Sequence, residues 1–133
     1  MIHIVIVSHG EMGRALVESA EMIAGPLEAI STLSLAPDEN LDTLGEKLAR
    51  HLATLGEQPV LLLTDLFGGT PCNVTAQAVA RANVESVSGV NLPMLLEVAV
   101  AGREQVASAA ELASLAEVAG REAIKNLREV LQC

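Results

Sequence analysis

Two short stretches of this chain run apolar almost without a break: IHIVIV from Ile2 to Val7 and VLLLT from Val60 to Thr64. A strand with one wet face alternates apolar and polar residues. A run without alternation belongs to a strand covered on both faces, as in a parallel sheet sandwiched between helices. The neighbouring segments have helical spacing. Met12, Leu16, Ser19, Met22 and Ile23 share one helical face, and the pattern stops at Gly25-Pro26. Ile30 to Leu35 reads as a second, weaker strand. Leu41, Leu44, Leu48, Leu52 and Leu55 form an apolar stripe ending at Gly56. The spacing predicts a helix over Pro71–Ala82 with Val74, Ala78, Val79 and Ala82 inward. A short fourth strand follows over Ser86–Val90, then a largely buried helix over Leu92–Ala101. The alanine-rich remainder is helical in spacing, with Ile124, Leu127 and Leu131 near its end.

Strands therefore alternate with helices, which implies parallel strands and right-handed crossovers. The first and third strands are the most apolar and take the centre. The expected fold is a flavodoxin-like, doubly wound α/β sheet, mainly parallel, of order 2-1-3-4. The 133 residues show no linker, low-complexity tract or internal repeat and read as a single domain, residues 1–133. In such sheets a ligand sits beyond the carboxyl ends of the strands where the order reverses, here between the first and the third.

At that point the first strand ends in Ser8-His9-Gly10 and the third in Thr64-Asp65, followed by Leu66-Phe67-Gly68-Gly69-Thr70-Pro71. An aspartate that accepts a hydrogen bond from one imidazole nitrogen fixes the tautomer and leaves the other nitrogen as a nucleophile. It also stabilises the charge the ring gains on bonding a phosphoryl group. Ser8 and Glu11 have the spacing of a capping box, which places His9 in the first turn of a helix. Thr70-Pro71 reads as a second helix start. Gly68 and Gly69 allow backbone N–H groups to approach a phosphate closely. Each helix dipole contributes about 0.3–1 kcal/mol, rising to ~2 kcal/mol when partly buried. That suits a transient phosphate better than a held cofactor. Taken singly, His9 reads more readily as a surface turn residue, Asp65 equally as a cap or turn former, and GGTP as an ordinary strand-to-helix turn; their convergence favours function.

Composition narrows the choice further. Seventeen acidic residues against eight basic give a net charge of −9, which disfavours nucleic acid and anionic membrane surfaces. With one Phe and no Trp or Tyr, there is no aromatic platform for a base or a sugar ring. The apolar opening is too short for a signal peptide, and no uncharged run has the length of a membrane span. Cys72 and Cys133 make no disulfide framework, so a reducing cytoplasm is the expected compartment. His3 and His51 are read as structural, and the three histidines are too dispersed to predict a metal site. A Cys72-His9-Asp65 hydrolase is disfavoured because Ala78 stands where a Cys-x₅-Arg loop needs arginine. Neither a P-loop nor a GxGxxG fingerprint is present.

The blocks VSHGEMGRAL, SAEMIAG, LLLTDLFGGTPCNVTAQ and SGVNLPMLLE resemble the enzyme IIA domain of the mannose-type bacterial phosphotransferase system, in order along nearly the whole chain. The resemblance implies that His9 accepts a phosphoryl group from phospho-HPr and passes it to a histidine of a IIB domain for sugar uptake. Asp65 would orient His9. Gly10, Gly68, Gly69 and Thr70 would contact the phosphate, with no cofactor or metal required. Phe67, Asn91 and Met94 are candidates for partner docking, each reading equally as packing or helix-start residues. The resemblance further implies a homodimer and a C-terminal edge strand exchanged between subunits, although Glu122–Leu131 has helical spacing. The chain carries no linker or fused IIB domain, which leaves open a stand-alone regulatory role in which phosphorylation of His9 controls partner binding.

Overall fold

The computed structural model describes residues 1–132; Cys133 lies outside them. Four strands form one sheet: β1 (His3–His9), β2 (Ile30–Leu35), β3 (Val60–Thr64) and β4 (Val84–Ser88). All neighbours are parallel and the order is β2-β1-β3-β4, as the ranking of strand hydrophobicity implies. The helices are α1 (Met12–Ala24), α2 (Leu41–Leu55), α3 (Thr70–Ala78), α4 (Leu92–Leu96), α5 (Arg103–Gln105), α6 (Ala109–Glu122) and α7 (Leu127–Leu131). A π-helical turn, Glu97–Gly102, joins α4 to α5.

The central strands explain why their sequences lack alternation. Ile4, Ile6, Leu61 and Leu63 face one side, against Ala20 of α1, Met94 and Leu95 of α4 and Leu112 of α6. Val5, Val7, Val60 and Leu62 face the other, against Leu44, Leu48 and Leu52 of α2 and Val74 of α3. Each such side chain contributes about 1.5–3 kcal/mol when fully buried. Asn40 caps α2, its side chain accepting from the Thr43 N–H while the Thr43 hydroxyl accepts from Asn40 N–H.

Several expected boundaries shift. On α1 the buried residues are Gly13 and Ala20, while Met22, at 87 % exposure, Ile23 and Ser19 face solvent. Gly13 is small enough to bring the helix onto the sheet, since a Cβ there would lie 2.9 Å from Ile6 Cγ2. The third helix ends at Ala78 rather than Ala82, leaving Val79 and Ala82 exposed. The chain must turn early because the Val60 N–H donates to Asn83 O, which starts β4 at Val84. β4 ends at Ser88 because the Gly89 and Val90 N–H groups both donate to Thr64 O, drawing the chain out of the ladder. The predicted helix over Leu92–Ala101 is buried through Met94, Leu95, Val98 and Ala99 but exposes Val100 and Ala101. Among the described residues no fifth strand exists: the helical spacing near the C-terminus prevails over the implied edge strand, and α7 buries none of its residues.

Candidate functional site

The parallel register sets Val7 beside Thr64, so the residues that follow, His9 and Asp65, leave the sheet at the same edge. His9 Nδ1 lies 2.8 Å from Asp65 Oδ2, and the His9 backbone N–H donates to that same oxygen at 2.8 Å. A carboxylate oxygen only accepts, so Nδ1 carries the proton and Nε2 presents its lone pair. Among the described residues no protein group bonds to Nε2. The His9 side chain is 49 % exposed and that of Asp65 only 10 %, an arrangement of buried anchor and accessible ring. Burial pushes the Asp65 carboxyl up. The bonds from the His9 backbone and ring, the His9 charge and Asp65's own backbone N–H outweigh it, and the net shift is below the ordinary value of 3.8. Asp65 is thus held as a carboxylate. Its second oxygen, Oδ1, is buried without a partner among the described residues.

The loop after β1 differs from the expected capping box. His9 is the last residue of β1, Gly10 turns the chain at φ +52°, and α1 begins at Met12 behind Glu11, which makes no side-chain cap bond. Ser8 stays on the strand and still satisfies a helix donor, its Oγ accepting the Gly13 N–H at 2.9 Å. The Gly10 N–H donates to Leu35 O and is not free for a ligand.

The loop after β3 also differs from the expected cap. Gly69, not Thr70, precedes the helix, with Thr70 as its first residue and Pro71 next. Gly68 has φ +85°, a conformation that favours glycine. The Gly69 N–H donates to Leu66 O, so it too is unavailable. The N–H groups of Gly68 and Thr70 and the Thr70 hydroxyl have no protein partner among the described residues. Gly69 itself lies against the imidazole, where a Cβ would be 3.0 Å from His9 Cε1 and 3.6 Å from Nε2.

The three docking candidates separate. Phe67 is 85 % exposed on the loop between β3 and α3. Met94 is only 3 % exposed and belongs to the core, so it cannot present a docking surface. Asn91 caps α4, its Oδ1 accepting the Met94 N–H while Nδ2 donates to Gly120 O. Both amide atoms are thereby used within the fold. A groove of about 570 Å³ runs from Phe67 past Cys72 and Val79 to Met94 and Ile124. Cys72 makes no hydrogen bond to His9 or Asp65 among the described residues, so no cysteine-histidine-aspartate arrangement is assembled.

A second cluster escaped the sequence reading. His3 Nε2 lies 2.9 Å from Ser31 Oγ, which lies 2.6 Å from His51 Nε2. The histidines expected to be dispersed therefore converge on one hydroxyl. The only signal was weak: His51 stands three residues after Leu48, beside the inward stripe of α2. No helix of the described residues is long and apolar enough to cross a membrane.

Comparison with known proteins gives concordant results. A family model described as EIIA-man, PTS system fructose IIA component, matches residues 3–117. The PTS system mannose-specific EIIAB component of Escherichia coli K12 is 40 % identical over 129 residues, which is 96 % of this chain and 40 % of that protein. The chain thus spans well under half the length of its mannose-specific relatives. The PTS system fructose-specific EIIA component of Bacillus subtilis is 40 % identical over 100 residues, covering 74 % of this chain and 68 % of that one. Among solved structures, the mannose/sorbose specific IIA subunit from Enterococcus faecalis superposes with a TM-score of 0.87 at 34 % identity, covering 94 % and 93 % of the two chains.

Proposed function

The chain belongs to the mannose-type family of phosphotransferase-system IIA components, and from that premise we propose that it carries a phosphoryl group on His9 Nε2. The single observation behind the choice of atom is the 2.8 Å bond between His9 Nδ1 and Asp65 Oδ2, which leaves Nε2 unprotonated and accessible. In the proposed step, the Nε2 lone pair attacks the phosphorus of a phosphohistidine on HPr. A new N–P bond forms as the old one breaks, its electron pair returning to the donor ring. Nδ1 keeps its proton, so the loaded ring is cationic and the Asp65 carboxylate offsets that charge. The free N–H groups of Gly68 and Thr70 and the Thr70 hydroxyl supply donors for the phosphoryl oxygens. Transfer to a IIB histidine is the same displacement with this ring as the leaving group.

Phe67, exposed on the loop between β3 and α3, is the proposed anchor for both partners. A homodimer and a cytoplasmic location complete the reading, and sugar uptake is the process served. The test is incubation with phosphoenolpyruvate, enzyme I and HPr, followed by assay for acid-labile phosphate. Wild type takes up label and His9→Ala takes up none. Persistent labelling of His9→Ala would remove His9 from the mechanism.

A further inference from the structure

The two glycines of the loop before α3 are glycine for different reasons. Gly68 has φ +85° and open space where a side chain would go, so its backbone conformation is what favours glycine. Gly69 has φ −76° and ψ 169°, which every residue adopts readily. Its N–H is bonded to Leu66 O rather than offered to a ligand. What a side chain at Gly69 would meet is the imidazole of His9, with Cε1 at 3.0 Å, and the Leu66 carbonyl oxygen at 3.4 Å. The carbonyl is tied down by the bond it accepts from Gly69 itself. The half-exposed ring is the group that can give.

We propose that Gly69 is a positioning residue for phosphoryl transfer: by lacking a Cβ it lets the His9 imidazole seat against the loop backbone while Nδ1 stays on Asp65. The inference rests on the phosphocarrier reading and deepens it. Both edges of the ring are constrained. Asp65 Oδ2 takes the Nδ1 edge at 2.8 Å, and the Cε1–Nε2 edge fills the space that a Cβ at Gly69 would crowd. Together they fix rotation of the ring and hence the direction of the Nε2 lone pair. A methyl group at Gly69 moves the ring by a few tenths of an ångström and loosens its bond to Asp65. A reacting atom misplaced on that scale loses rate steeply.

The test begins on unphosphorylated, ¹⁵N-labelled protein at alkaline pH, where ring resonances report the tautomer. In wild type the His9 ring is the Nδ1–H tautomer. In Gly69→Ala, and equally in Gly69→Ser, the two ring nitrogens move toward the averaged shifts of mixed tautomers. Phosphoryl transfer from phospho-HPr falls by about 10- to 100-fold, with a thermal midpoint near that of wild type. Gly68→Ala does the reverse on tautomer and midpoint, lowering the midpoint while leaving the ring tautomer alone. Wild-type ring resonances in Gly69→Ala overturn the proposal, and so does a shifted ring that accepts phosphate at the wild-type rate. A wild-type protein that takes no label from phospho-HPr overturns the phosphocarrier reading instead, and the ring resonances still decide whether Gly69 seats the imidazole.

Discussion

One oxygen, Asp65 Oδ2, holds His9 twice, by its backbone and by its ring. An Asn at position 65 keeps an oxygen acceptor of the same reach but no charge. Bonds to ionised groups contribute about 1.5–3 kcal/mol against about 0.5–1.5 for neutral ones. Asp65→Asn is therefore expected to slow single-turnover transfer about 10-fold while leaving the circular dichroism of the fold unchanged. The pair itself was legible in the sequence, because both residues end apolar strands whose order could be inferred. The donors around them were not. Gly10 and Gly69 spend their N–H groups on Leu35 and Leu66, and Ser8 answers Gly13 rather than the residue a capping box requires. Which amide a turn consumes depends on the path of the loop, and residue type alone does not encode that path. Met94 was misplaced for a related reason: a hydrophobe after a strand reads alike whether it rims a crevice or sits under a helix.

Elements were most legible where hydrophobicity left one solution. The β1 and β3 runs could only be central, and the leucine stripe of α2 buries Leu44, Leu48 and Leu52 as its period implies. The inward face of α1 was misjudged because large apolar residues drew attention away from small ones. Met22 and Ile23 are exposed, and the contact with the sheet is made where Gly13 removes a side chain. A Cβ at Gly13 would meet Ile6 Cγ2 at 2.9 Å and Ser8 Oγ at 3.2 Å, both packed and neither able to retreat. Gly13→Ala is expected to cost about 1–3 kcal/mol of stability, read as a lower urea midpoint. The end of α3 could not be foreseen from spacing, since Val79 and Ala82 continue the apolar period after the backbone has turned away to pair Val84 with Val60.

Across the whole molecule, distant segments meet at the amino-terminal side of β1. Arg103 is buried and donates to the carbonyls of Ile2, Ala29 and Glu28. Nearby, the Ser31 hydroxyl has one proton to give, so at most one of His3 and His51 receives it and at least one of them donates. Burial first, then the positive neighbours His51 and Arg103, lower the His3 pKa below 6.5. The unfolded chain takes up a proton near 6.5 and the folded chain only further into acid. This contribution is therefore complete above 6.5 and is lost as pH falls through the folded value. Asp65, its pKa lowered below 3.8, adds a loss in stronger acid for the carboxylate reason. Urea midpoints measured against pH are expected to be level in the alkaline range and to fall on the acid side of 6.5, with a shallower first decline in His3→Asn. Nothing in the sequence joined these residues, because polar clusters between remote segments leave no periodic trace. The double hold on His9 has a consequence for traffic. A ring fastened at backbone and side chain is no swinging arm, and only one lone pair faces outward. On the proposed phosphocarrier reading, donor and acceptor come in along the same line to the same spot, so they visit in turn, and the cargo rests on this protein alone between one departure and the next arrival.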